Sequence, residues 1–187
     1  FATESTSLLG VLQSSFHVSH AWQQSSKMKA ADLRYTPSDV LDTFPFPKNA
    51  DLHAVGKAFS EARSATMLEK QLGLTEFYKS LSNPSIIDNE IEKNRELHIN
   101  LDEEVKCAYG WEDLDLSHDF HEVGYLPNGQ NLRFTISEKA RIEILRRLGN
   151  LNKERFEEEV YQGLHDKDKG SRKATTKLTE TQSGFDF

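Results

Sequence analysis

The stretch Ile87–Tyr109, IDNEIEKNRELHINLDEEVKCAY, decides the fold because it carries the clearest helical pattern in the chain. Apolar side chains recur in it at close to helical spacing, at Ile87, Ile91, Leu97, Leu101, Val105 and Ala108. Gly110 follows directly, and glycine often ends helices because it adopts the left-handed conformation without strain. We therefore predict one long helix with a buried face, ended by Gly110 and followed by Trp111 as an apolar anchor.

Weaker helical patterns lie on both sides of this segment. They predict further helices over residues 4–24, 52–72, 74–81, 138–148 and 152–164. Gly10 is the weak point of the first of these helices, and Gly149 should end the helix before the last. Ser137 precedes that helix as an N-cap. Most of the chain is therefore expected to be helical.

One β-hairpin is predicted in the second half of the chain. Its strands are residues 121–126 and 131–136, joined by Pro127-Asn128-Gly129-Gln130, and Asn-Gly favours a tight turn. From Ser25 to Pro47 the chain is expected to be irregular, apart from a short helix that begins at Pro37. The predicted fold class is mainly α: a helical bundle with one small β-hairpin and an irregular N-terminal segment.

The composition excludes several classes of protein. With 187 residues, of which 11 are Phe, 5 Tyr and 2 Trp, the chain can build the core of one ordinary domain. No apolar run approaches the length of a membrane-spanning helix. The single cysteine, Cys107, excludes a disulfide framework and a cysteine-based zinc site, and it fits a reducing compartment. We expect no association with a membrane.

The charge is unevenly distributed along the chain, whose net charge is −7. Residues 1–50 are neutral overall, residues 51–110 and 111–165 each carry −4, and residues 166–187 carry +1. Because acidic surfaces repel phosphates, any contact with DNA should come from the head or the tail. The tail is rich in Ser, Thr, Lys and Gly, a composition typical of a disordered segment.

The head contains one group of residues suited to phosphate, namely Lys27, Lys29, Arg34, Tyr35 and Ser38. The group combines positive charge, hydrogen-bond donors and an aromatic ring, which are the features that position a protein on the DNA backbone. We predict these five as the DNA-binding residues. The alternative is that the stretch is a linker in which Tyr35 only packs.

No catalytic set emerges from the sequence. It contains no Gly-rich phosphate loop, no nucleophile elbow and no zinc-protease helix. Two histidine pairs have the spacing of metal ligands but no credible third ligand, so surface or packing roles are favoured: His17 with His20, and His118 with His121. We predict neither a catalytic nor a metal site.

Three further groups of acidic or cysteine residues could suggest chemistry, but each is interpreted as structural. Asp88 with Glu104-Val105-Lys106 resembles a nuclease pattern, but the second part falls inside the predicted helix. Asp102, Glu103 and Glu104 are interpreted as a solvated helix face. Cys107 is interpreted as a buried small hydrophobe.

Two groups of motifs carry a resemblance to a known family. In the head they are Leu12-Gln13-Ser14-Ser15, Leu33-Arg34-Tyr35-Thr36-Pro37-Ser38-Asp39 and Thr43-Phe44-Pro45-Phe46-Pro47. In the body they are Leu72-Gly73-Leu74-Thr75, Ala108-Tyr109-Gly110-Trp111 and Arg133-Phe134-Thr135-Ile136-Ser137. Over roughly residues 5–165, the chain resembles the C-terminal part of large single-chain adenine DNA methyltransferases of type II restriction–modification and phage-defence systems.

The resemblance implies a division of the chain into three parts. Residues 1–47 would end the target-recognition region, residues 48–165 would form the helical C-terminal domain, and residues 166–187 would be a basic tail. The family's catalytic Asn-Pro-Pro-Tyr/Phe motif is absent, since Asn83-Pro84 is followed by Ser85. The chain therefore looks like a fragment that binds no cofactor itself.

The implied function is to hold and position double-stranded DNA for an upstream methyltransferase domain of the same chain. That domain would bind S-adenosylmethionine and carry out the chemistry on the base. The implied location is the bacterial cytoplasm. The alternative function is a standalone helical protein–protein interaction module, whose acidic faces and hairpin bind a basic partner.

Overall fold

The computed structural model describes residues 6–28, 32–48 and 51–164. The mainly α prediction is confirmed, since seven helices and four short strands make up the regular structure of these residues. In chain order they are α1 (Thr6–Gln13), α2 (Ser15–Gln24), β1 (Ser26–Met28), β2 (Asp32–Arg34), α3 (Pro37–Val40), α4 (His53–Glu69), α5 (Leu74–Leu81), α6 (Asn89–Ala108), β3 (Asp119–Glu122), β4 (Leu132–Thr135) and α7 (Glu138–Tyr161). The chain divides into two compact units between Leu148 and Gly149.

Helix α6 is the long helix that the sequence predicts, and both of its ends have a clear cause. Asp88 is its N-cap, and its Oδ1 accepts hydrogen bonds from the backbone N–H groups of Glu90 and Ile91, both at 3.1 Å. Gly110 ends the helix with φ of 70°, a conformation that favours glycine. The predicted apolar face is buried at Ile91, Leu101 and Val105, whereas Ile87 precedes the helix and is 91% exposed.

The apolar anchor predicted after α6 is confirmed. Trp111 stacks on Tyr109 with ring centroids 4.5 Å apart, and both rings stack against Phe16 of α2. Phe16 is completely buried and belongs to the core cluster of the first unit. The end of α6 is thereby packed against α2.

The first predicted helix is in fact two helices. The chain breaks at Ser14, where φ is −70° and ψ is 156°, and the Ser14 hydroxyl accepts from the backbone N–H of His17 as the N-cap of α2. Gly10, the expected weak point, lies inside α1. An added Cβ there would lie 3.3 Å from Cα of Gly56 on α4. This glycine allows α1 to approach α4 closely, so its role is packing.

The predicted β-hairpin is present, and its strands are shorter than expected. Strands β3 and β4 are antiparallel with Phe120 opposite Phe134, and a loop over residues 123–131 joins them. The predicted Asn-Gly turn lies within that loop, where Gln130 N–H donates to Pro127 O and Gly129 has φ of 80°. A further pair was not predicted: β1 and β2 form a separate antiparallel sheet in the head.

Arg95 of α6 joins several elements that the sequence alone did not connect. Its side chain is almost fully buried, and it donates to the backbone carbonyls of Ser80, Leu81, Asn83 and Ile86 at the end of α5. Its guanidinium also lies over the Phe120 ring, 4.9 Å from the centroid. One cation therefore satisfies the carbonyls at a helix end and supports the β3–β4 hairpin.

Helix α7 continues through Gly149, so the predicted stop at that residue and the separate helix from Asn152 are wrong. Gly149 has no atom within 4 Å of the position of a Cβ, and its cost to a helix is about 1 kcal/mol. Glu143 forms ion pairs with both Arg146 and Arg147 along the preceding turn. Such pairs stabilise the helix up to Gly149. The free-energy cost of one glycine is too small to end a helix that is stabilised in this way.

The two helical glycines allow a matched test of close packing. Gly10→Leu should destabilise the protein by about 1–3 kcal/mol, because the new side chain would force α1 away from Gly56 on α4. Gly149→Leu adds the same side chain where space is open, and it should stabilise the protein by up to about 1 kcal/mol, because it removes the cost of a glycine inside the helix. Urea unfolding followed by circular dichroism measures both. Equal effects of the two substitutions would contradict the close contact.

Candidate nucleic-acid interface

Four of the five predicted DNA-binding residues lie in the described part of the chain between β1 and α3: Lys27 in β1, Arg34 at the end of β2, Tyr35 directly after it and Ser38 in α3. The backbone of Lys27 pairs with Leu33 across the β1–β2 sheet, while its side chain, like the whole of Lys29, lies outside the described part of the chain. Arg34 and Ser38 are exposed, and Tyr35 between them is 38% exposed. The structure thus places these three on one short exposed segment.

Tyr35 is held in place by a buried histidine. Its hydroxyl lies 3.2 Å from Nε2 of His17, whose Nδ1 lies 3.1 Å from the carbonyl oxygen of Leu12. Since the Leu12 carbonyl can only accept, we assign the proton of the neutral ring to Nδ1, and Tyr35 then donates to Nε2. Tyr35 is therefore packed against α2, which is what the alternative interpretation of this stretch expects, and 38% of the residue stays exposed.

The protonation states of these two side chains fit that assignment. Burial, helped by the nearby His20, lowers the pKa of His17 from 6.5 to about 4, so its imidazole is neutral at pH 7. Burial raises the pKa of Tyr35, so its hydroxyl keeps its proton. The donor and the acceptor of the hydrogen bond are both in the required state at neutral pH.

The Phe44-Pro45-Phe46-Pro47 segment supports this surface from beneath. Phe44 is almost completely buried, and the rings of His17 and His20 contact it edge-on at 5.0 and 5.2 Å. His20 Nε2 also lies 3.1 Å from Thr43 Oγ1. The prolines restrict the backbone, so the segment forms a stiff platform under α2.

Acidic neighbours limit how much phosphate this surface could attract. The Ser38 hydroxyl donates to the carboxylate of Asp39 at 3.2 Å. Asp39 and Asp42 are both exposed close to Arg34 in the sequence. Arg34 is the one cation among the described exposed residues from 34 to 42, so a wide electrostatic contact with phosphates is not expected here.

Asp102 was expected on a solvated helix face, and that prediction is wrong. Its side chain is fully buried, and Oδ1 accepts from the backbone N–H of Ser15 at 2.7 Å. Oδ2 accepts from Nε2 of His118 at 2.8 Å and lies 3.9 Å from Nε2 of His98. Glu104, two residues further on, is exposed as predicted.

The carboxylate of Asp102 remains ionised inside the protein. Burial alone would raise its pKa, but the His118 hydrogen bond, the two imidazoles and the Ser15 N–H together lower it below its usual value. The sequence offered one signal for this network, since Asp102 adjoins the apolar face next to Leu101 and follows His98 by one helical turn. The network fixes the first turn of α2, which carries His17.

The remaining candidates from the sequence do not converge. Asp88 caps the start of α6, and Glu104 lies sixteen residues along the same helix, a separation of roughly 24 Å at 1.5 Å per residue. Cys107 is exposed, so its interpretation as a buried hydrophobe is wrong. Among the residues that the structure describes, no three histidine, cysteine or acidic side chains are grouped as a metal site would need.

No family model, curated protein or solved structure matches this chain. Within the described residues, every helix is too short or too polar to cross a membrane.

Removing the buried carboxylate should damage the fold far more than removing its exposed neighbour. Asp102→Ala leaves Ser15 N–H and His118 without their acceptor in a buried site, and it should destabilise the protein by about 3 kcal/mol. Glu104→Ala on the same helix should change stability by less than about 0.5 kcal/mol. Thermal unfolding compares the two, and a small loss for Asp102→Ala would contradict the network.

The buried imidazoles should also make the protein less stable in acid. Between pH 6.5 and 4 the unfolded chain protonates His17 while the folded chain does not, so falling pH favours unfolding across this window. His17→Asn removes the titrating group and keeps a donor near Leu12, so its stability should depend less steeply on pH there. Urea unfolding at several pH values measures the slopes. Identical slopes for the variant and the wild type would contradict the assignment of a neutral His17.

Proposed function

We propose that this chain holds and positions duplex DNA as the C-terminal target-recognition and scaffold part of an adenine-specific DNA methyltransferase. The parent system would be one of restriction–modification or phage defence. The observation that carries the proposal is the hydrogen bond between Tyr35 and the buried His17. It fixes the Tyr35 side chain between Arg34 and Ser38, which are both exposed. The head and body motifs that resemble this methyltransferase family supply the identity of the larger system.

Each residue of the segment has a distinct role in this proposal. The Arg34 guanidinium contacts a backbone phosphate, because it is exposed and carries a permanent charge in planar donor geometry. The Tyr35 ring contacts the adjoining sugar, and the Ser38 hydroxyl turns from the Asp39 carboxylate to donate to the neighbouring phosphate. Such contacts fix the register of a protein on DNA without reading its sequence.

The charge distribution supports a single orientation on DNA. Residues 51–110 and 111–165 each carry −4, whereas the head is neutral. Duplex DNA would therefore be repelled by the body and accepted only at the head. Lys27 and Lys29, two of the four basic residues in the head, would contact phosphates as well.

The methylation chemistry in this proposal belongs to an upstream domain of the same chain, acting in the bacterial cytoplasm. The family's catalytic Asn-Pro-Pro-Tyr/Phe motif does not occur in these residues, so the upstream domain would supply it. The same domain would bind S-adenosylmethionine. The gene sequence provides a direct check. A reading frame that continues upstream into a methyl-donor-binding domain is expected, and a start codon immediately before Phe1 would exclude this part of the proposal.

DNA binding by the head should depend on Arg34 and on salt. In fluorescence anisotropy with a labelled duplex, Arg34→Glu should weaken binding and reduce the slope of log K against log salt by about one. Lys57→Glu is the matched control, because it changes the net charge equally at an exposed position on α4. An equal loss of affinity in both variants would show that only the net charge matters.

A second variant, measured in the same assay, tests the hydrogen bond that holds the Tyr35 ring against His17. Tyr35→Phe keeps the ring and removes the hydroxyl that donates to His17. Loss of that hydrogen bond should weaken DNA binding by roughly twofold to tenfold. Unchanged affinity in both Tyr35→Phe and Arg34→Glu would remove this segment from the interface.

The alternative function, a helical protein–protein interaction module, is favoured by one observation. Glu157, Glu158 and Glu159 form an exposed acidic run in the C-terminal part of α7. Such a surface would suit a basic protein partner. If the chain shows no salt-dependent affinity for duplex DNA and Arg34→Glu has no effect, this alternative becomes the better account.

A further inference from the structure

The loop between β3 and β4 contains the one Asn-Gly pair of the sequence, Asn128-Gly129. Both residues are exposed, and together they form the middle of a tight turn. Across this turn the backbone N–H of Gln130 donates to the carbonyl oxygen of Pro127 at 3.1 Å. The pair is therefore open to solvent while a hydrogen bond keeps the turn folded around it.

The backbone conformation of the turn leaves the amide between the two residues free. Gly129 has φ of 80°, whereas Asn128 has a negative φ. A negative φ followed by a positive one is the pattern of a type II turn, in which glycine is preferred at the third position. The hydrogen bond of such a turn joins its first and last residues and does not engage the central amide.

The backbone nitrogen of Gly129 is placed to act as a nucleophile. Among the described residues, no acceptor takes a hydrogen bond from its N–H group. No atom lies within 4 Å of the position that a Cβ of Gly129 would occupy, so the surroundings of this residue are open. Because glycine accepts either sign of φ, the central amide can rotate and bring this nitrogen towards Cγ of Asn128.

The side-chain amide of Asn128 is the electrophile. In the part of the chain that the structure describes, no hydrogen bond holds this amide away from the backbone. Asparagine is also one of the chemically labile residues that proteins from hot environments contain less often. The nucleophile and the electrophile belong to neighbouring residues, so their encounter is intramolecular.

We infer that Asn128 is a site of spontaneous deamidation, in which its side-chain amide becomes a carboxylate while the protein is folded. The backbone nitrogen of Gly129 gives its proton to solvent base and attacks Cγ of Asn128. The new C–N bond closes a five-membered succinimide ring, the bond from Cγ to Nδ2 breaks, and ammonia leaves. The inference does not depend on the DNA-binding proposal, because it uses none of the head residues.

Water then opens the succinimide at either of its two carbonyl carbons. Cleavage of the bond from Cγ to the ring nitrogen gives aspartate at position 128 with an ordinary backbone. Cleavage of the bond from the backbone carbonyl carbon to the ring nitrogen gives isoaspartate, in which the chain runs through Cβ and Cγ. Water is the only co-reactant, and both products add one negative charge to a chain whose net charge is −7.

The isoaspartate product cannot keep the present turn. Its backbone contains an additional methylene between the Pro127 carbonyl and the Gln130 N–H, which are hydrogen-bonded before the reaction. The same loop carries Tyr125, whose ring stacks on Trp22 of α2. Deamidation therefore loosens a loop that is attached to a helix of the first unit.

The test is a timed incubation of the complete chain under native conditions, followed by peptide mapping with mass spectrometry. The peptide that contains Asn128 should acquire isoaspartate with release of ammonia, and faster at higher pH, because the attacking nitrogen must lose its proton. Asn152 is the internal control, since it is exposed as well but the N–H after it lies in the hydrogen-bond ladder of α7. Asn152 should stay unconverted.

Asn128→Gln is the matched variant, because it keeps the amide and adds one methylene. The displaced carbonyl carbon should slow the loss of ammonia by about a hundredfold. Limited proteolysis should cut the loop faster in converted wild-type chains than in unconverted ones, and equal rates would contradict the loosening. Deamidation is overturned as an inference if Asn128 does not convert, if Asn152 converts as fast, or if Asn128→Gln acquires the added charge at the wild-type rate.

Discussion

The buried carboxylate of Asp102 connects parts of the first unit that are far apart in the sequence. It accepts one hydrogen bond from Ser15 at the start of α2 and another from His118 just before β3. A charge in a nonpolar interior is tolerated only when its donors are all in place. The position of α2 relative to α6 is therefore determined by chemistry as well as by the fit of apolar side chains.

The head segment depends on the helix that this carboxylate holds. One side of α2 carries His17, which binds Tyr35 of the head segment. Another side carries Trp22, whose ring stacks on Tyr125 of the β3–β4 loop with the centroids 4.8 Å apart. Because Ser15 belongs to the same first turn as His17, its hydrogen bond to Asp102 also holds the residue that binds Tyr35. The head segment and the β3–β4 loop are thus both attached to α2.

Local patterns were enough to predict the helical elements, and long-range contacts explain most of the errors. Helix α6 was predictable because its apolar face, its N-cap and Gly110 are all encoded within one segment. The break at Ser14 was not, since a serine suits both a helix surface and an N-cap. The buried state of Asp102 depends on Ser15 and His118, which no local pattern links to α6.

The candidate site was predictable to a similar extent. The exposure of Arg34 and Ser38 follows from the polar composition of the head, whereas the partner of Tyr35 lies eighteen residues earlier on a different element. The continuation of α7 through Gly149 shows the opposite kind of error. There a local signal for helix termination was present, but glycine opposes a helix too weakly to end one that ion pairs support.

Arg95 makes the stability of the end of α5 depend on that of the β3–β4 hairpin. The same guanidinium serves the carbonyls that end α5 and the aromatic rings of the hairpin, Phe120 and Phe134. If either the end of α5 or the hairpin opens, the Arg95 guanidinium loses part of its contacts and becomes exposed, which weakens the other element as well. Amide protons of the residue 80–86 turn and of the hairpin should therefore exchange with solvent in a single opening event, as one unit of local unfolding.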